Sequence, residues 1–155
     1  MSNRDSSQII SVISSKSQEH TILRDSILPG LLENLSKNIH ETYPQKFFES
    51  GIVFSKDSPI KETASLACVT ASEETHFSKI KAVLQSLLRI GFNIKCETKT
   101  LSKHALFSQG RVAEIVANKK TVGYIGELDS KVLENFRIRT KVVGFEIKLS
   151  GLIFD

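Results

Sequence analysis

The run GRVAEIVANKKTVGYIGEL, Gly110 to Leu128, leaves its backbone few options. Two β-rich segments, Arg111–Ala117 and Thr121–Leu128, flank the polar Asn118-Lys119-Lys120, and that pairing predicts a β-hairpin. Its VGYIGEL arm carries neither GxGxxG nor GxxxxGK[ST]. The arm therefore reads as a strand with small residues where another backbone passes closely, not as a phosphate loop.

The other elements assemble around this unit. QKFFESGIVFS (Gln45–Ser55) is predicted as a strand with a bulge at Glu49, Ser50 and Gly51. ETASLACVTA (Glu62–Ala71) follows as its antiparallel neighbour, after a turn containing Asp57-Ser58-Pro59. QIISVIS (Gln8–Ser14), FNIKCET (Phe92–Thr98) and KVVGFEIKL (Lys141–Leu149) complete the strands, and SGLIFD trails off. Three helices are expected. In LRDSILPGLLENLSKN and the isoleucine that follows it, Leu28, Leu31, Leu32, Leu35 and Ile39 recur on one helical face, with Asp25 or Ser26 as N-cap and Pro29 in the tolerant first turn. In THFSKIKAVLQSLLRIG the face is Phe77, Ile80, Val83, Leu84, Leu87 and Leu88, with Thr75 as cap and Gly91 as stop. DSKVLENF is a short third helix capped by Asp129 or Ser130. Strands interleaved with helices give an α+β fold, a mainly antiparallel sheet flanked by helices.

Composition excludes several functions. The 155 residues are 40% hydrophobic and 25% charged, sufficient for one core, and no run approaches a membrane span. The polar start MSNRDSSQ lacks the apolar stretch of a signal peptide, so the expected compartment is the cytoplasm. A net charge of +4 comes from 21 Lys and Arg spread along the chain without a basic tract. Cys68 and Cys96 lack a CxxC partner and read as reduced core residues.

Chemistry is sparse in the sequence. His20, His40, His76 and His104 have no metal-ligand spacing. Glu49, Glu114, Glu127 and Glu146 fall in predicted strands and would form an acid–base pair if those strands brought them together. Charged residues on an open sheet face explain them as well. No catalytic, cofactor-binding or metal-ligating residue is assigned.

Two long segments carry more information. LRDSILPGLLENLSKNIHETYPQKFFESGIVF and GRVAEIVANKKTVGYIGELDSKVLENFRIRTKVVGFEIKL resemble, in the same order and at matching separation, the beta subunit of phenylalanyl-tRNA synthetase. The first resembles its Arg-Thr/Asp-Ser-Leu-Leu-Pro-Gly-Leu-Leu helix and Phe-Glu-x-Gly strand. The second resembles its Gly-Arg-x-Ala-x-Ile and Gly-x-Ile-Gly-Glu hairpin, short helix and final Phe-Glu strand. The likeness runs from about Ile9 to Leu152, with Ser130 where the family often has proline.

The resemblance implies a class II aminoacyl-tRNA synthetase-like fold in the catalytic-like module of the beta subunit, a phenylalanine–tRNA ligase component in protein biosynthesis. In that pattern Pro29 and Gly30 start a helix packed closely on the sheet, Gly30 letting its backbone approach a strand. Class II adenylation holds the α- and γ-phosphates of ATP with arginines at motifs 2 and 3. At the motif 2-like place this chain has Lys56, and at the motif 3-like place Glu146 and Lys148. The expectation is a pseudo-catalytic module that itself binds no cofactor, ATP and Mg belonging to the full enzyme. Its implied partners are the alpha subunit and, indirectly, tRNA(Phe), with no membrane contact. The pattern begins after the family's motif 1 helix and strand, so residues 1–155 are expected to be one partial module, either an excised fragment or a stand-alone relative. Its apolar ends (Ile9, Ile10, Val12, Leu152, Ile153, Phe154) are expected to promote self-association. Two alternatives remain: a small independent enzyme using Glu49, Glu127 and Glu146, and a tRNA-binding module using Lys95, Lys99, Lys103 and Arg111 on one side.

Overall fold

A computed structural model describes residues 10–11 and 22–153. Two short strands, β1 (Ile10–Ser11) and β2 (Ile22–Leu23), pair with each other. The rest of the predicted strand Gln8–Ser14, the polar stretch after it, and Ile9, Val12 and Phe154 lie outside the described residues. Helix α1 (Leu28–Lys37) follows, then β3 (Gln45–Ser55), β4 (Lys61–Ala71), α2 (Phe77–Phe92), β5 (Cys96–Leu101), β6 (Phe107–Ala117), β7 (Lys120–Leu128), α3 (Ser130–Asn135), β8 (Val142–Lys148) and the short α4 (Ser150–Ile153). Strands β3 to β8 form one sheet in the order β3-β4-β8-β7-β6-β5, antiparallel at every junction.

The two amphipathic helices cover opposite faces of that sheet. Leu28, Leu31, Leu32 and Leu35 of α1 pack with Val53, Ala67, Val69 and Ala71. Ile80, Leu84 and Leu88 of α2 pack with Ile115, Ile125, Val143, Phe145 and Ile147. Each fully buried Leu or Ile contributes about 1.5–3 kcal/mol of transfer free energy, so these stripes hold the layers together. Leu152 of α4 joins the second layer. Among the described residues, no helix is long and apolar enough to cross a membrane.

Several sequence expectations need correction. Ile39 lies beyond α1 and is 37% exposed, and Val83 is 46% exposed on the outer side of α2. Helix α2 runs through Gly91 and ends at Asn93, whose left-handed φ of 54° lets its N–H reach Arg89 O at 3.1 Å while Ile94 N–H reaches Leu88 O at 3.0 Å. The next strand consequently starts at Cys96 instead of Phe92. Strand β3 has no bulge: its pairing with β4 is unbroken from Gln45↔Ala71 to Ser55↔Lys61. The register shifts lie in the β6–β7 pair, between Phe107 and Val112 and between Ile115 and Val116. SGLIFD contributes a fourth helix, α4, so the described residues hold four helices and not three. Thr75 does not cap α2; His76 occupies that position, and Thr75 Oγ1 is buried without a partner.

Candidate functional site

The motifs RDSILPG, FFESG and VGFE, far apart in the chain, meet on the α1 face of the sheet. Arg24 reaches across the outer edge of β3. Its Nε donates to Ile52 O at 2.9 Å, its guanidinium pairs with Glu49, and its own carbonyl accepts Phe54 N–H at 2.8 Å. Gly51 belongs to this contact, because a side chain there would fall on the Arg24 guanidinium. The glycine that suggested a bulge instead clears space for an arginine.

Glu146 makes the second junction. Its carboxylate accepts from Ser26 Oγ at 2.6 Å, from Ile27 N–H at 3.0 Å and from Leu28 N–H at 3.2 Å. Neither Asp25 nor Ser26 is the N-cap. Ile27 stands there without a side-chain cap, and a carboxylate from β8 satisfies the opening amides and complements the positive end of the helix. Asp129 caps α3 as expected, accepting Lys131 N–H at 2.9 Å. Gly30 departs from its predicted role: the nearest atom a Cβ would meet is Glu49 Oε2 at 4.0 Å, so no strand backbone crowds it. Gly123 and Gly126 do show the close approach inferred for VGYIGEL, since a Cβ would strike Glu146 O and Arg111 O respectively.

The strand carboxylates do not form an acid–base pair. Glu49, Ala67, Glu146, Tyr124 and Glu114 lie in one cross-sheet row, so three carboxylates share a face, each separated from the next by one intervening strand. At roughly 4.8 Å per strand their backbones are about 10 Å apart. Glu127 alternates to the other face, where it binds Arg111 at 2.8 Å. Glu114 accepts Thr121 Oγ1 at 3.4 Å. The cations proposed for tRNA are also split: Lys99 stands opposite Glu114 on the α1 face, and Arg111 is on the reverse.

Between α1 and the exposed half of this face lies a cleft of about 340 Å³. Its polar lining includes the carboxylates of Asp25 and Glu146, the Lys148 ammonium and the hydroxyls of Ser65 and Tyr124, and its apolar wall includes Leu28, Leu106 and Phe107. The His104 ring forms one rim, its centroid 4.6 Å from that of Tyr124 and 5.0 Å from that of Phe107, while its Nδ1 accepts Leu106 N–H at 3.2 Å. Ser65 and the cleft had no sequence signal, because their meaning depends on which strands are neighbours. Cys68 and Cys96 are free thiols, each pushed upward in pKa by burial. Among the described residues, no group of three His, Cys, Asp or Glu side chains is gathered to hold a metal.

Comparison with known proteins agrees with this architecture. The structure superposes on a pyrrolysyl-tRNA synthetase from Desulfitobacterium hafniense with a TM-score of 0.76 at 17% identity, covering 95% of this chain and 52% of that one. The fold is thus class II synthetase-like. In sequence the chain is 38% identical over 150 residues to a phenylalanine–tRNA ligase beta subunit from Pyrococcus abyssi, covering 94% of this chain and 26% of the relative. It is 38% identical over 144 residues to the corresponding subunit of Methanocaldococcus jannaschii, covering 90% and 26%. The chain spans about a quarter of the length of the relatives it matches. The model of the phenylalanyl tRNA synthetase beta chain CLM domain matches residues 1–149, and it is to this family that the chain belongs.

Proposed function

We propose that this chain is a non-catalytic beta-subunit module of a phenylalanine–tRNA ligase, supporting an alpha subunit in charging tRNA(Phe). The carrying observation is the position of the Glu146 carboxylate on the N-terminal amides of α1. Those amides are the backbone donors on this face suited to receiving a phosphate, and an internal anion already occupies them. A triphosphate would also meet Glu49 and Glu146 on the same face, with Lys56 and Lys148 in place of two forked arginines. These residues do not fit ATP and its Mg.

Phenylalanine-dependent exchange of pyrophosphate into ATP tests the reading. The purified chain is expected to give no exchange above a protein-free control; turnover would overturn the non-catalytic role. Partner binding is measured separately, by co-purification with an alpha subunit. The isolated chain is further proposed to self-associate, through the exposed apolar side of its edge strand β3.

A further inference from the structure

The two edges of the main sheet are finished differently. At β3, Arg24 fills part of the outer hydrogen-bonding row. At the other end of the strand order β5 pairs only with β6, and no hydrogen bond among the described residues reaches its outer row. In an antiparallel pair alternate residues turn their N–H and C=O away from the partner, so half of the six residues of β5 present theirs outward. Cys96, Thr98 and Thr100 stand opposite Ala117, Ile115 and Ala113, which belong to the core under α2, so these three share the α2 face. Glu97 and Lys99 alternate to the reverse face. Charged side chains discourage a further strand from joining an edge, and here they leave the α2 side of the edge clear.

Beside that uncharged side runs a trough of about 450 Å³, bounded by Gln85 and Arg89 of α2 and by Ile94, Lys95 and Cys96. Burial pushes the Cys96 thiol pKa up, and the charge of Lys81, one turn before Gln85, opposes it, which places Lys81 on the same flank of the helix. Helix α2 carries three cations and no carboxylate. The β6–β7 turn adds Lys119 at this end of the sheet, since Ala117 pairs with both Cys96 and Lys120. The trough therefore has one sign. The wider hollow of about 780 Å³ does not, because Glu73 and Glu134 line it beside Arg137 and Arg139. None of the residues lining the trough is aromatic, so nucleic-acid bases find no ring to stack on.

We propose that the edge of β5 and the flank of α2 form a docking groove for an acidic, extended segment of a partner polypeptide. The segment adds to the six-stranded sheet by pairing with the outer row of β5, and the carboxylates on its alternate residues meet Lys81, Arg89 and Lys95. An open strand edge calls for a backbone, and a cationic trough calls for carboxylates; an acidic strand supplies both. The groove is on the opposite face from the cleft beside α1 and involves no chemical step, so it stands or falls independently of the non-catalytic reading.

Amide NMR and hydrogen exchange of the whole 155-residue chain test it. The probe is an acetylated, amidated peptide of alternating glutamate and valine, long enough to span β5. Its controls are the lysine–valine peptide of equal length, the glutamate–valine peptide N-methylated at every residue, which keeps the charge but cannot pair, and a single-stranded oligouridylate. Saturable shifts centred on Cys96–Leu101, Gln85 and Arg89 are expected with the unmethylated acidic peptide alone. At saturation the outward amides of β5 should exchange at least tenfold more slowly. Arg89→Gln and Lys95→Gln together should weaken binding at least tenfold and leave the urea midpoint unchanged, since both side chains are exposed. The proposal is overturned by the absence of saturable shifts or by shifts centred on β3. Equal binding of the N-methylated peptide, which would show charge acting without strand pairing, also overturns it, as does equal binding of the lysine–valine peptide. Tighter binding of the oligouridylate would overturn it in favour of a nucleic-acid surface.

Discussion

At the scale of single residues, the two carboxylates that connect the motifs explain most of the local design. Removing Glu146 leaves Ser26 and the amides of Ile27 and Leu28 without their shared acceptor. An unsatisfied buried group costs about 1–3 kcal/mol, so Glu146→Ala should lower stability by at least that range, and Glu146→Gln by less, since one amide oxygen still accepts. Glu114→Gln, which loses one long bond from Thr121, should be nearly neutral. Urea melts of the three variants check this order, and a neutral Glu146→Ala would remove the capping account. Gly30 gives a second residue-scale test. With only an ordinary van der Waals contact to Glu49 where its Cβ would go, Gly30→Ala should gain up to about 1 kcal/mol of helix propensity. A loss would restore the close packing that the sequence suggested. The capping role of Glu146 was not legible in the sequence because its partners are 118 to 120 residues away. Local rules could offer only Asp25 and Ser26, the polar neighbours at hand.

At the scale of elements, sequence patterns succeeded where the cause was local. The stripes of α1 and α2 follow from three-and-four spacing, and the β6–β7 hairpin follows from two β-rich runs around a short polar turn. They failed where tertiary contacts decide: Gly51 looked like a bulge, yet it serves Arg24 from another element. The stop of α2 was misplaced by two residues because asparagine, like glycine, tolerates the left-handed region. The hairpin turn allows a further test. Asn118 and Lys119 connect Ala117 to its partner Lys120 with φ of 48° and 61°, the positive values of a type I′ turn. Lysine has no side-chain hydrogen bond to offset that conformation, whereas glycine enters it freely. Lys119→Gly is expected to stabilise the chain by about 1 kcal/mol in a thermal or urea melt, the gain in the native turn exceeding the entropy glycine adds to the unfolded chain. A destabilised variant would show that the turn relaxes to another geometry in solution.

At the scale of the whole molecule, the sheet is covered unequally. Helix α2 contacts β7 and β8 on its face and leaves the outer strand β3 bare, so Phe48 is 78% and Ile52 42% exposed on that side. Exposed apolar surface is thus found on β3 among the described residues, while Leu152, one of the residues expected to be exposed, is buried in the core beneath α2. Strand β3 is also an edge. Arg24 closes its outer hydrogen-bonding row at Ile52 and Phe54, and Phe48 stands on the stretch beyond that guard. An open strand edge beside exposed apolar side chains is a template for strand pairing, and among identical chains pairing is most often two-fold. Light scattering over a concentration series should therefore show the isolated chain passing from monomer to dimer. Phe48→Glu should hold it monomeric at every concentration while changing its melting by no more than about 0.5 kcal/mol, because the side chain is exposed in the monomer. If the parent chain stays monomeric throughout, or if Phe48→Glu dimerises equally well, the bare face of β3 is not the surface through which these chains meet.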